Sequence, residues 1–146
     1  MENSIAEIQV SYSTNLVEKT KVTDANTAYQ ILLNSWSSDL IELQEEFKVL
    51  LLNRANEVIG IYSMSKGGIS GTIVDVKLLF AVTLKCNASG IIVAHNHPSG
   101  NLKASEQDKK ITKQIKEAAK ILDIQFLDHL IVTKNNFLSF TNEGIV

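Results

Sequence analysis

A chain of 146 residues, 45% hydrophobic and 21% charged, is long enough to bury about two-thirds of the surface its unfolded form exposes, so one compact unit over 1–146 is expected. One proline and seven glycines exclude a collagen-like or low-complexity chain, and a formal charge of −2 gives no global field that would draw in nucleic acid. The first residues have neither the basic stretch nor the apolar run of a signal peptide, no apolar segment nears membrane-spanning length, and the single cysteine, Cys86, rules out an internal disulfide; a soluble, cytoplasmic protein without a membrane partner is expected.

Glu7 to Ser13 alternates apolar and polar side chains and predicts a short strand, with a second extended piece over Leu16 to Val22. Asp24 is placed to cap a helix from Ala25 to about Trp36, with Ala28, Ile31, Leu32 and Trp36 at helical spacing. Phe47 to Leu52 and Val58 to Met64 flank the turn Asn53-Arg-Ala-Asn and predict a hairpin. Gly67, Gly68 and Gly71 mark a loop before a helix that has Val76, Leu79, Phe80, Thr83 and Cys86 on one face and ends near Gly90. Gly90 to His95 is short and apolar up to its histidine, as in an interior strand covered on both faces. A helix from about Ser105 to Leu122 follows, with Ile111, Ile115, Ala118 and Leu122 on one stripe, and Leu130 to Thr133 pairs with Phe137 to Phe140 in a closing hairpin. This order predicts an α/β fold, a mixed β-sheet flanked by helices, with residues 1–44 as an amino-terminal extension packed on a core of residues 45–146.

The chemistry gathers in His95-Asn-His-Pro-Ser-Gly-Asn-Leu-Lys-Ala-Ser105-Glu-Gln-Asp108. Side chains two apart on an extended segment point the same way, so His95 and His97 can share one site at the carboxyl end of a strand, where α/β sheets commonly bind ligands. Ser105 and Asp108 have the spacing of a helix-capping pair, and taken alone that is the stronger reading. Asp108, however, also extends the inward apolar stripe of its helix, and an inward carboxylate needs a cation or several donors. A metal held by His95, His97 and Asp108 satisfies all three, and two imidazoles with one carboxylate and a fourth position open to water suit a catalytic zinc. A nearby carboxylate would then have to accept the water's proton.

Several other residues have plainer readings. A zinc deaminase needs His-x-Glu and Pro-Cys-x-x-Cys, neither of which is present. His129, entering an apolar strand, reads first as a hydrogen-bonded structural residue and second as support for the metal site. Cys86 reads as core. Lys109, Lys113, Lys116 and Lys120 form a helical stripe whose first reading is a solvated face and whose second is a surface for nucleic acid or an acidic partner.

The spacing His-x-His, seven residues, Ser, two residues, Asp resembles the JAMM (MPN+) metalloprotease motif, and His-Asn-His-Pro-Ser-Gly with Leu127-Asp-His-Leu resembles its bacterial RadC branch, over about Glu45 to the carboxyl terminus. The resemblance implies a cytidine-deaminase-like α/β/α fold, a Zn2+ ion on His95, His97 and Asp108, and a serine, Ser105, that supports the oxyanion. It also implies an upstream acid two residues before a strand-opening Phe, which is Glu45 before Phe47, with Glu46 as the fallback. Ala104 stands where RadC-like chains usually have Pro, and Val76-Lys77 where they have Pro-Arg. The segment before Glu45 lacks the Gly-rich hairpins of their amino-terminal helix-hairpin-helix region. The activity implied is hydrolysis of a peptide or isopeptide bond in a protein or peptide substrate. The alternative is a nucleic-acid-binding, DNA-repair-associated module, and a homo-oligomer is compatible with either.

Overall fold

The computed structural model describes residues 4–14, 18–67 and 74–146. Its elements are α1 (Ala25–Ser35), β1 (Glu46–Leu52), β2 (Val58–Lys66), α2 (Val76–Lys85), β3 (Gly90–Asn96), α3 (Glu106–Ile121), β4 (Gln125–Val132) and β5 (Phe137–Ser139). They form one sheet in the order β2-β1-β3-β4-β5. The β3–β4 pair is parallel and the other pairings are antiparallel; the parallel pair takes its crossover through α3, while short turns join β1 to β2 and β4 to β5.

Period-two alternation splits the sheet's side chains between two cores. Phe47, Val49 and Leu51 of β1 with Ile91 and Val93 of β3 pack against Leu79 and Phe80 of α2 and Ile115 and Ala119 of α3. Leu50, Leu52, Ile92, Ala94, Leu130 and Val132 pack on the opposite face against Ala28, Tyr29 and Leu32 of α1. The result is the expected α/β/α layering around a mixed sheet, with every residue of β1 and β3 buried.

The helix starts follow their capping residues. Asp24 accepts from Thr27 N at 2.7 Å and Asp75 from Leu78 N at 3.0 Å. The carboxyl end of α1 is closed by Lys48, whose Nζ donates to the Ser35 carbonyl at 2.8 Å and lies 4.5 Å from the Trp36 ring centroid. A cation there meets the negative end of the helix and an aromatic face together.

Residues 4–14 join no strand, because no strand among the described residues covers their apolar face: Ile5 and Ile8 are both 79% exposed. Tyr12 holds the segment by donating to the Ile59 carbonyl at 2.8 Å. In the second extended piece, residues 15–17 lie outside the described residues, and Lys21 makes a single bridge with Glu57; Gly68 and Gly71 also lie outside them. On α3 the buried stripe is Thr112, Ile115 and Ala119, while Leu122 is 40% exposed. The stripe is centred about one position from the expected one, and steps of four, three and four residues still place Asp108 in line with it. No helix among the described residues is long and apolar enough to cross a membrane.

Candidate metal centre

The last residues of β3 send alternate side chains to opposite faces. His95 continues the face of Ile91 and Val93, beneath α3, and Asn96 points toward the α1 side. His97 follows on the His95 side, where its Nε2 lies 3.0 Å from His95 Nε2. Asp108, on the first turn of α3, brings Oδ1 to 3.4 Å from His95 Nε2 and Oδ2 to 3.6 Å from His97 Nε2. One ligand atom from each of His95, His97 and Asp108 lies within 4.8 Å of the others.

Hydrogen-bond roles make this geometry chemically demanding. His97 Nδ1 lies 2.6 Å from the Asn101 carbonyl, which can only accept, so Nδ1 carries the hydrogen and Nε2 of a neutral ring presents a lone pair. That lone pair faces His95 Nε2 and a carboxylate, and such a cluster of acceptors is stable only with a proton or a cation among them. Without a cation, protons take that role. Burial opposes a charged His97, but its hydrogen bonds to Asp108 and Asn101 and the charges of Asp108 and Glu45 outweigh this and raise its pKa. Burial likewise opposes an ionised Asp108, and hydrogen bonds from His95 and His97, the charge on His95 and the Ser105 amide overcome it, holding the carboxyl far below the usual range. Two imidazole nitrogens and a carboxylate oxygen are a donor set that fits a divalent transition metal.

The capping reading of Ser105 and the ligand reading of Asp108 coexist. Ser105 Oγ accepts from Asp108 N at 3.0 Å and Asp108 Oδ2 accepts from Ser105 N at 3.0 Å, a reciprocal capping box. The box orients the Asp108 carboxylate while its oxygens still face the histidines. Because Ser105 Oγ serves there as an acceptor, its own hydrogen remains available and has no acceptor among the described residues.

The cleft around these groups, about 850 Å³, is lined by Glu45, His95, His97, Ser105, Asp108 and neighbouring residues. Glu45 and Glu46 separate by strand parity. Glu45 falls on the face of Phe47, which lies opposite His95 in the β1–β3 register. Glu46 points to the other face, where it is 4% exposed and its carboxylate lies 3.8 Å from Lys66 Nζ.

Two residues matter more than their sequence signal suggested. His129, read first as structural, touches the site directly: its Nε2 lies 2.7 Å from His95 Nδ1 and its Nδ1 lies 2.6 Å from Thr112 Oγ1. Its ring is fully buried, stacked on Phe140 and edge-on to Phe47, and burial with the nearby His95 pushes its pKa well down. Asn96 was missed. Its Oδ1 accepts from Glu46 N at 2.7 Å, and its Nδ2 donates to the carbonyls of Ile41 at 2.8 Å and Gln44 at 2.9 Å. Those bonds clamp the backbone on both sides of Glu45. The available signal was a polar residue where an interior strand's parity calls for an apolar one.

The RadC-like JAB domain family model matches residues 22–145, a span that begins ahead of α1. A UPF0758 protein of Flavobacterium johnsoniae is 48% identical over 132 residues, covering 90% of this chain and 56% of that protein. Another from Porphyromonas gingivalis is 38% identical over 135 residues, covering 92% of this chain and 58% of that protein, and one from Haemophilus ducreyi is 39% identical over 118 residues, covering 81% and 53%. The chain thus spans somewhat over half the length of these curated relatives.

Proposed function

The chain belongs to the RadC-like JAB domain family, and we propose that it is a zinc-dependent hydrolase of peptide or isopeptide bonds. The observation that supports this best is the convergence of His95 Nε2, His97 Nε2 and the Asp108 carboxylate at the mouth of a cleft that Glu45 and Ser105 also line. A zinc ion bound by these three residues would polarise a substrate carbonyl and bring the pKa of water down to about 7.

The chain's own groups supply the remaining steps. Glu45 takes a proton from the attacking water as the oxygen–carbon bond forms. The carbon–nitrogen bond then breaks, and Glu45 returns that proton to the departing amine, so the carboxylate is regenerated. Ser105 Oγ lines the cleft with a hydrogen that the capping box does not use, and it can donate to the negative charge that develops on the carbonyl oxygen. His97, fixed by Asn101, and Asp108, fixed by its capping box, need little rearrangement to act as ligands.

Zinc content and affinity of protein purified without chelator test this reading. Wild type is expected to bind zinc, His97→Ala to lose most of that affinity, and Glu45→Gln to keep zinc while losing hydrolysis. A folded wild type without zinc affinity would overturn the proposal.

A second reading is motivated by the groove beside α3, about 1140 Å³, lined by Arg54, Lys109, Lys113, Lys116 and Lys120 among others. In this reading the chain binds a polyanion such as nucleic acid. Affinity should then fall steeply with salt and fall further in Lys113→Ala/Lys116→Ala. Absence of binding at low salt removes it.

A further inference from the structure

Thr112 lies one turn beyond Asp108 on the buried stripe of α3, and its Oγ1 is 2.6 Å from the Asp108 carbonyl oxygen and 2.6 Å from His129 Nδ1. A hydroxyl has one hydrogen, so it can donate to only one of these two acceptors at a time. His129 is buried, its ring has no acidic hydrogen-bond partner among the described residues, and it is therefore neutral, with one N–H and one lone pair. Each orientation of the Thr112 hydroxyl therefore dictates the state of both rings.

In the first arrangement the hydrogen points at the Asp108 carbonyl, and Thr112 Oγ1 accepts from His129 Nδ1–H. His129 Nε2 is then a lone pair, which accepts from His95 Nδ1–H at 2.7 Å. His95 consequently presents a lone pair at Nε2 toward His97 and Asp108. In the second arrangement the Thr112 hydrogen points at His129 Nδ1, and both ring bonds reverse. His129 Nε2–H donates to His95 Nδ1, and a neutral His95 carries its hydrogen at Nε2, facing Asp108 Oδ1 at 3.4 Å. A ring in that state cannot ligate a metal through Nε2. The Asp108 carbonyl can forgo Thr112 in this arrangement, since it is the usual acceptor of the helical amide four residues on.

We propose that Thr112 and His129 are positioning residues that together set which nitrogen of His95 carries the hydrogen, so that loading of the site requires the Thr112 hydroxyl to turn onto the Asp108 carbonyl. The loading half rests on the zinc reading above, and the ring-coupling half does not. The two rings share one hydrogen across the His95–His129 contact, so their tautomers must match, both with hydrogen at Nδ1 or both at Nε2. The zinc-loaded state is the Nδ1–H pair.

Long-range nitrogen–proton NMR of ring-labelled protein at alkaline pH, alone and with zinc, reads these tautomers directly. Chelator competition gives zinc affinity in parallel. Zinc should place the hydrogen at Nδ1 on both His95 and His129. Thr112→Val removes the acceptor for His129 Nδ1–H while nearly preserving shape, so it should hold both rings as Nε2–H and lower zinc affinity about 10–100-fold, the scale of lost outer-shell support. Thr112→Ser should restore both readouts, which a packing defect would not predict. Opposite tautomers on the two rings of the wild type, or Thr112→Val loading zinc as tightly as wild type with Nδ1–H rings, overturn the proposal. If Thr112→Val does not fold, the zinc-loaded wild type still decides: hydrogen at His129 Nε2 refutes the relay. A wild type that binds no zinc sinks the zinc reading and with it the loading half, while the metal-free ring tautomers still decide the coupling.

Discussion

On the proposed hydrolase reading, Asn96→Ala should destabilise the fold and impair hydrolysis while leaving His95, His97 and Asp108 in place. Asn96 is fully buried and its amide makes three backbone hydrogen bonds, from Glu46 N and to the Ile41 and Gln44 carbonyls. Each bond contributes about 1 kcal/mol net, and a buried N–H left without a partner costs about 1–3 kcal/mol more. Glu46 N is such a group, since its residue is 4% exposed. The loss is therefore about 4–6 kcal/mol, a large part of the roughly 5–15 kcal/mol that holds a domain together. Denaturant unfolding measures it. Asn96→Asp sharpens the test, because it keeps an acceptor for Glu46 N but sets a carboxylate against two carbonyl oxygens; it should be at least as unstable as the alanine variant at neutral pH and recover partly on acidification. Zinc affinity in the folded fraction should stay near wild type and turnover should fall, since the clamp acts on the backbone around Glu45. A destabilisation below about 1 kcal/mol, on the scale of one ordinary hydrogen bond, would refute the clamp.

Glu46→Gln should leave turnover near wild type, in contrast to Glu45→Gln, because Glu46 faces Lys66 on the far side of the sheet; equal losses in an activity assay would show that strand parity does not separate the two acids. The raised pKa of His97 makes protons compete with zinc, so affinity from chelator competition should fall up to tenfold per pH unit once pH drops below that pKa, which lies above the ordinary histidine value. In metal-free protein the same shift has a definite sign: stability from protonated His97 is full below the unfolded pKa and is lost as pH rises through the higher folded one. Asp108, lowered, contributes above the unfolded carboxylate range and loses that only in strong acid, while buried His129, lowered, contributes above the unfolded histidine pKa and loses that as pH falls, so the His97 part is read by difference: in metal-free thermal melts the advantage of wild type over His97→Gln should shrink as pH rises through the folded His97 pKa, and an advantage that grows there contradicts the assignment. Ile115→Ala, at a fully buried position between α3 and the sheet, should cost about 2–5 kcal/mol and weaken zinc binding, because the same helix carries Asp108. Unchanged affinity would mean that α3 seats Asp108 without this contact.

Much of this molecule follows from sequence alone, because the responsible forces are local or periodic. Apolar spacing and capping residues gave α1 and α3 nearly to their ends, apolar spacing placed α2 although it stops at Lys85 and not near Gly90, dense apolar runs gave β1 and β3, and the two-residue step from His95 to His97 already placed two imidazoles in one site. Alternation by itself did not make a strand of residues 4–14, since a strand exists only where a neighbour pairs with it. The tertiary structure decided what depends on contacts between distant segments. Strand register set Glu45, and not Glu46, on the side of His95. The crossover through α3 brought Thr112 and His129 together behind His95, and Asn96 joined the end of β3 to the segment before β1. A sequence specifies which groups can donate and accept; only the folded chain fixes which of them meet, and at Thr112, His129 and His95 that meeting determines where a single hydrogen sits.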